Sequence, residues 1–116
     1  ANSNVVHSSS MSVYMDFANI TISGVGNCTV NFQSNSWLTS CTGNGTGDAT
    51  LNFNTAYKSY QYSCSGMVYS HFDASTEMIK YVSKLTTSMR VNLNRNFTSP
   101  GIIDNGTFDI VCIGAK

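Results

Sequence analysis

Four cysteines constrain the fold of this chain more than any other feature of its sequence. Cys28, Cys41, Cys64 and Cys112 are too widely spaced to form the CxxC pairs of zinc sites and redox motifs. An even number of such cysteines, in a chain rich in serine, threonine and asparagine, predicts two disulfides and an exported protein. Three connectivities are open. We favour Cys28–Cys41 across a hairpin and Cys64–Cys112 between the middle of the chain and its last strand.

The length and charge of the chain limit the folds and the partners that are possible for it. We predict that the 116 residues form a single domain, 1–116, with a loose N-terminal segment at 1–10. Only 10% of the residues are charged, and six basic residues balance six acidic ones. The basic residues are dispersed, so no nucleic-acid partner is expected. No apolar run approaches the ~18 residues that span a bilayer, so no membrane span is expected.

The first residues and the asparagine motifs bear on location. A start at Ala1-Asn2-Ser3 without methionine matches a mature protein whose signal peptide has been removed. We therefore expect a periplasmic protein, with an extracellular one as the alternative. Five Asn-x-Ser/Thr motifs do not separate a bacterial from a eukaryotic or phage origin, because this composition produces several by chance: Asn19, Asn27, Asn44, Asn96 and Asn105.

Alternation of apolar and polar residues predicts strands along most of the chain. The apolar residues are odd-numbered over 11–17 and even-numbered over 20–22, which predicts one long strand with a bulge at Ala18-Asn19. Further strands are expected at 28–32, 36–41, 51–57 and 107–113. The segment 42–48 is expected to turn, with Asn44-Gly45 able to take the positive φ angles of a tight hairpin.

One segment has the spacing of an amphipathic helix. It begins at Asp73 or Ser75, either of which can cap the first turn. Its apolar residues recur at intervals of three and four: Met78, Val82, Leu85 and Met89. The predicted fold is therefore mainly β, an antiparallel sheet or flattened sandwich of six to eight strands with one helix and two disulfides.

The sequence contains few residues suited to catalysis, and we predict that the protein is not an enzyme. An acid–base pair would have to come from six carboxylates: Asp16, Asp48, Asp73, Glu77, Asp104 and Asp109. We interpret His7 as a solvated side chain and His71 as a strand-end imidazole. No phosphate-binding glycine loop or nucleophile elbow is present, and neither a cofactor nor a metal is expected.

Aromatic residues among small polar ones predict a protein-binding surface. The residues that we expect to contact a partner are Asn35, Trp37, Asn44, Tyr57, Tyr60 and Tyr62. At least one of the three tyrosines should face water. Trp37 is equally compatible with the core of a small sheet.

The four-cysteine framework and the start Ala1-Asn2-Ser3-Asn4-Val5-Val6 resemble the periplasmic immunity proteins of bacterial type VI secretion effectors. The resemblance is to those that protect vibrios from their own peptidoglycan-degrading spike effector. It covers the whole chain through size, composition and cysteine layout, and it assigns no individual site residue. It implies that the partner is a cognate cell-wall hydrolase, whose active-site cleft the immunity protein occludes.

Two other functions remain open at this point. A structural or adhesive surface module, such as a minor pilin head, a phage receptor-binding domain or a surface glycoprotein, fits the same composition. A small hydrolase would require a carboxylate or His71 in a cleft with a matched partner. Exposed edge strands with little charge are also compatible with a homodimer.

Overall fold

The computed structural model describes residues 5–7, 12–70, 77–95, 102–103 and 105–116, which form two antiparallel sheets. The strands are β1 Val5–His7, β2 Ser12–Gly24, β3 Asn27–Gln33, β4 Leu38–Gly45, β5 Asp48–Phe53, β6 Ser63–Ser70, β7 Glu77–Lys84, β8 Ser88–Arg95, β9 Ile102–Ile103 and β10 Gly106–Ala115. The prediction of a mainly β fold is confirmed, with two of the ten described strands only two or three residues long.

The first sheet is organised around one long central pairing, that of β2 with β10. In the first sheet the strand order is β1-β2-β10-β6, and β3 also pairs with β2. Ten residues of β10 pair with β2 without a register shift, from Gly106 opposite Ile22 to Ala115 opposite Val13. In the second sheet the order is β4-β5-β8-β7, and β9 also pairs with β8.

The core lies between the facing surfaces of the two sheets, as alternation along the strands requires. The first sheet contributes every second residue of β2 and β10, among them Ile20, Ile22, Phe108 and Ile110. The second sheet contributes Leu51 and its neighbours at the same parity. The expected inward face of the last strand is thereby confirmed for Phe108, Ile110 and Cys112.

Both favoured disulfides are present, one between the two sheets and the other within the first sheet. Cys28–Cys41 joins β3 to β4, so it ties an edge of one sheet to an edge of the other. Cys64 and Cys112 lie directly opposite each other on β6 and β10, with their Cα atoms 4.1 Å apart, so this bond is a cross-strand link within the first sheet. No free cysteine occurs among the described residues.

The backbones of the two sheets are in close contact near the Cys28–Cys41 bond. The amide of Gly26 donates a hydrogen bond to the carbonyl oxygen of Gly43, at 2.8 Å. A Cβ atom on Gly43 would lie 2.4 Å from the carbonyl oxygen of Gly24 and 2.8 Å from the amide nitrogen of Asn27. Only glycine fits this contact, because both obstructing atoms belong to the backbone.

The predicted helix is wrong. Residues 77–95 form β7, β8 and the turn between them, and no helix occurs among the described residues; positions 73–76 lie outside these. The residues of the expected helical stripe are separated. Met89 is buried in the core, whereas Val82 and Leu85 are exposed. The segment is rich in β-branched residues, which favour strands.

The position of the predicted bulge is also corrected. The bulge lies in β3, where Asn31 is the extra residue, and β2 keeps its even-numbered residues buried, so Met15 is exposed. The turn expected within 42–48 is present at Thr46-Gly47, where Gly47 has a φ of 61°, and β4 continues through Asn44 and Gly45. Within the segment 1–10, Val5–His7 form β1 paired with β2, and the remaining positions lie outside the described residues.

The contact at Gly43 yields a matched pair of variants. We expect Gly43→Ala to lower the free energy of unfolding by about 1–3 kcal/mol, because the new methyl group cannot avoid the facing backbone. Gly45→Ala should cost less than about 0.5 kcal/mol, because nothing lies within 4 Å of a Cβ there. Urea unfolding with intact disulfides measures both, and equal losses would contradict the role given to Gly43.

Candidate protein-binding site

Three connections and the residue after β10 meet at one end of the sandwich, which we call the loop end. It comprises residues 34–37, 54–62, 85–87 and Lys116. The amide of Asn54 donates to the carbonyl oxygen of Trp37, that of Tyr57 to Thr86, and that of Lys58 to Ala115. Because each bond joins two different segments, the connections hold one another in place.

The connection 34–37 is fixed by bonds to the neighbouring strand β2. The amide of Ser34 and the indole nitrogen of Trp37 both donate to the carbonyl oxygen of Phe17, each at 2.9 Å. The amide of Phe17 in turn donates to the Ser34 hydroxyl at 2.9 Å. Two-way bonding of this kind leaves the connection little freedom.

Two consecutive residues at the tip of this connection have left-handed backbone conformations. Asn35 has a φ of 51° and Ser36 a φ of 50°, and both are exposed. Such a conformation costs free energy in residues other than glycine, and it persists only where the surroundings impose it. Non-glycine residues in this conformation are found preferentially at functional sites, so the tip is the first candidate for contact with a partner.

Four packed aromatic rings support the connection 54–62 from below. Tyr57 and Tyr62 stack with ring centroids 4.4 Å apart, and Phe53 meets both of them edge-on. Trp37 stacks on the other side of Phe53, at 5.6 Å. The Tyr62 hydroxyl donates to the carbonyl oxygen of Leu85 at 2.8 Å, which anchors the connection 85–87 to the same cluster.

A buried ion pair completes the loop end. Asp16 is 1% exposed, and its Oδ2 atom lies 2.8 Å from Nζ of Lys116 and accepts a hydrogen bond of 2.6 Å from the Tyr57 hydroxyl. The Lys116 ammonium also lies 4.9 Å from the ring centroid of Tyr57 and 5.4 Å from that of Tyr14. A buried carboxylate is tolerated only when it is paired and hydrogen-bonded, and Asp16 is both.

Burial shifts the acidity of the two stacked tyrosines. Burial raises the pKa of Tyr57 far above its ordinary value, and the hydrogen bond to Asp16 raises it further. Burial alone raises the pKa of Tyr62 to about 12. Both phenols therefore stay protonated, and Tyr57 remains a hydrogen-bond donor to Asp16 throughout the physiological pH range.

A cavity of about 110 Å³ opens beside the ion pair. Its lining includes the exposed residues Ser36, Asn54 and Thr55 together with Asp16 and Lys116. We call it the Lys116 cavity. The two charges of the ion pair balance each other in this lining, and the exposed residues beside them are neutral and polar.

The structure brings together five of the six residues that the sequence marked for partner contact. Asn35 and Tyr60 lie exposed at the loop end, which confirms that at least one of the tyrosines faces water. Trp37, Tyr57 and Tyr62 lie there too, but each is only 2% exposed, so they support the surface and do not form it.

The sixth residue, Asn44, lies at the opposite end of the molecule. It is exposed near the end of β4, where its side-chain amide donates to Asp48 and to Thr50. Asp48 also accepts two hydrogen bonds from Arg90, and these bonds hold the pKa of Asp48 below its usual value. Asn44 therefore belongs to a polar surface network that has no contact with the loop end.

Two residues of the site were missed as site residues. Asp16 was counted only among the carboxylates, and Lys116 only among the dispersed charges. The one available signal was that Asp16 has the parity of Ala18, Ile20 and Ile22, all of which are buried. Its partner Lys116 follows the end of β10, whereas the residue opposite Asp16 in the strand register is Cys112, so no local pattern reveals the pair.

The other candidate catalytic groups form no acid–base pair among the described side chains. Asp109 accepts a hydrogen bond of 2.7 Å from Asn19, and Asp48 is paired with Arg90. The side chains of Asp73, Glu77, Asp104, His7 and His71 lie outside the described part. The described residues contain no cluster of three or more metal-ligating side chains and no helix able to span a membrane.

Comparison with known proteins returned no match to a protein family, to a curated protein or to a solved structure. The two disulfides are consistent with an exported protein. Any narrower statement of function must come from the site itself.

The buried ion pair predicts a specific energetic coupling. We expect Lys116→Met to lower the free energy of unfolding by about 3 kcal/mol, because it leaves the Asp16 carboxylate buried without a counter-ion. Asp16→Asn should also destabilise the protein. The double variant should lose less than the sum of the two, with a coupling of at least about 1 kcal/mol in urea unfolding. Additive losses would show that the pair is energetically unimportant.

Proposed function

We propose that this protein is an exported inhibitor that binds a cognate toxin and occludes its active-site cleft. The observation that carries the proposal is the rigid, exposed and largely uncharged loop end, with the left-handed pair Asn35 and Ser36 at its tip. Ordered connections lose little entropy on docking, so their contacts translate efficiently into affinity.

The shape of the molecule supports insertion into a cleft. The protein measures 45 × 25 × 21 Å, and its long axis matches the length of β2, which has 13 residues at roughly 3.3 Å each. Because three connections meet at the loop end, we take it to be one end of this elongated molecule. Asparagine, serine and tyrosine, which are exposed there, are the residues that recognition loops favour.

A cell-wall hydrolase is the partner that we propose, with the periplasm as the site of action. The resemblance to type VI immunity proteins supports this choice, and the disulfides suit an oxidising compartment. A wall-degrading enzyme binds its glycan in an extended cleft, and a narrow protein tip is able to block such a cleft without chemistry of its own.

One observation favours a second candidate, a structural or adhesive module. The outer face of the second sheet carries hydrogen-bonded neutral side chains, with Asn52 donating to Ser40 and to Thr42. A flat polar face of this kind suits lateral packing or glycan contact. It would place the functional surface on the sheet and away from the loop end.

The inhibitor function is tested by peptidoglycan lysis. We expect one equivalent of the protein to abolish turbidity loss caused by one of the wall-degrading effectors of its own organism. The double variant Asn35→Gly/Ser36→Gly keeps a backbone that tolerates positive φ and removes both side chains. It should raise the inhibitory concentration by about tenfold or more, as should Tyr60→Ala.

Two variants at the opposite end serve as matched controls. Val25→Ser, at a residue 77% exposed, and Asn44→Ala should inhibit like the parent protein. If no effector is inhibited at one equivalent, or if control and loop-end variants lose inhibition equally, the proposal is wrong.

A further inference from the structure

We infer that β6 is the edge at which two copies of this protein pair, strand to strand, to form a homodimer with one continuous sheet across the interface. The inference goes beyond the proposed function and does not depend on it, because the inhibitory contact is placed at the loop end. Four features of the molecule support it: the open edge of β6, the protection of the other edges, the distribution of charge and a cavity beside the strand.

β6 ends the first sheet and presents a regular, open edge. It pairs with β10 on one side, and no described strand pairs with its other side. The register with β10 is uninterrupted from Ser63 to Val68, and the one irregularity comes after that stretch. Ser65, Gly66 and Met67 are exposed, Met67 to 74%. An edge of this kind presents backbone N–H and C=O groups that are able to pair with another strand.

The other edges of the described sheets carry features that discourage pairing. β7 has three charged residues along its length and a register shift within it. β3 contains a bulge, and β1 and β9 have only three and two residues. β4 has two register shifts, and its Gly43 carbonyl oxygen already accepts the amide of Gly26. Edge strands avoid association through charges, bulges and short length, whereas Ser63–Ser70 contains no charged residue and no proline.

Charge favours a second copy of this chain as the strand that pairs with β6. The chain has six basic and six acidic residues, so two copies carry no net charge that would keep them apart. A two-fold axis places the same strand on both sides of the interface, antiparallel to itself. Because β6 is uncharged, such a pairing sets no like charges opposite each other, whereas self-pairing of β7 would bring six charged residues into one interface.

A cavity of about 50 Å³ lies beside this edge, between β6 and β7. Its lining includes core residues of both sheets: Ile79, Met89, Val91 and Ile110. On the other side of the sandwich a disulfide joins the β3 and β4 edges. Alternate side chains of a strand added at β6 would point toward the cavity and cover it. A pairing centred on Gly66, for example, would place Val68 of the second copy opposite Cys64, which lines the cavity.

The short length of the edge implies a weak dimer. Pairing of Ser63–Val68 with its copy involves six residues on each side, which bury less than the ~1,200 Å² of a stable interface. The dimer should therefore form only at high protein concentration, with a Kd of about 0.1 mM.

Sedimentation equilibrium of the oxidised full chain, from about 10 μM to about 1 mM, tests the inference. We expect a monomer–dimer equilibrium in this range. In NMR spectra over the same concentrations, the amide shifts that change should be those of Ser63–Val68. A protein that stays monomeric at about 1 mM would overturn the inference, as would a dimer whose concentration-dependent shifts lie on other strands and not on β6.

Two matched pairs of variants assign the pairing to β6. Ser65→Lys adds a charge at an exposed position of this edge and should raise the dimer Kd by at least about tenfold. Thr29→Lys adds the same charge at an exposed position of β3, at the other edge of the same sheet, and should leave the Kd unchanged. Met67→Lys and Val25→Lys, at residues 74% and 77% exposed, form the second pair with the same expectations.

Equal effects within a pair would refute β6 as the pairing edge. The two pairs are independent, so a variant that fails to fold in one of them leaves the other to decide. Circular dichroism and urea unfolding of each variant identify such a failure.

The outcome is separable from that of the inhibitor test. A dimer that inhibits no effector would support the β6 interface and refute the inhibitor function. A protein that inhibits an effector but stays monomeric at about 1 mM would support the inhibitor function and refute the β6 interface.

Discussion

The loop end depends on the burial of four aromatic side chains. The connection 54–62 has no regular structure, and ordering its backbone costs about 1–2 kcal/mol per residue. Tyr57 and Tyr62 offset this cost by packing against Phe53 and Trp37, with centroids 4.4–5.6 Å apart. Without that cluster the exposed residues above it would have no fixed position.

The cluster also explains how a chain with so few charges keeps one ion pair inside. Tyr57 belongs both to the aromatic stack and to the hydrogen bond that Asp16 accepts. Lys116 supplies the charge, and the rings around it supply favourable contacts with a cation. Packing, hydrogen bonding and charge are therefore concentrated at the same point, directly beneath the surface proposed to bind.

Much of the fold could be predicted from the sequence, because its signals are local. The parity of Phe108, Ile110 and Cys112 defined the inner face of the last strand, and the spacing of the cysteines favoured the pairing that is found. The segment 77–95 was wrongly predicted to be helical, because the two strands of a hairpin happen to carry apolar residues at intervals of three and four. Periodicity over so short a segment does not distinguish a helix from two strands.

The site was less predictable, because it depends on long-range geometry. Tyr60 and Tyr62 look alike in sequence, yet one is 62% exposed and the other 2%. Asp16 faces the core against the usual rule for carboxylates, and its partner lies 100 positions away in the chain. Composition predicted a surface of aromatic and small polar residues, whereas the fold determined which of these residues are exposed.

Amide hydrogen exchange at the loop end tests most directly whether its connections are rigid. The decisive amides are those of Trp37, Asn54, Tyr57 and Lys58, each of which donates to a backbone carbonyl oxygen. Rigid connections predict that these amides exchange as slowly as hydrogen-bonded amides of the edge strand β4. Exchange at the rate of an unfolded chain would show that the loop end is not preorganised, and would contradict the basis on which a binding function is assigned to it.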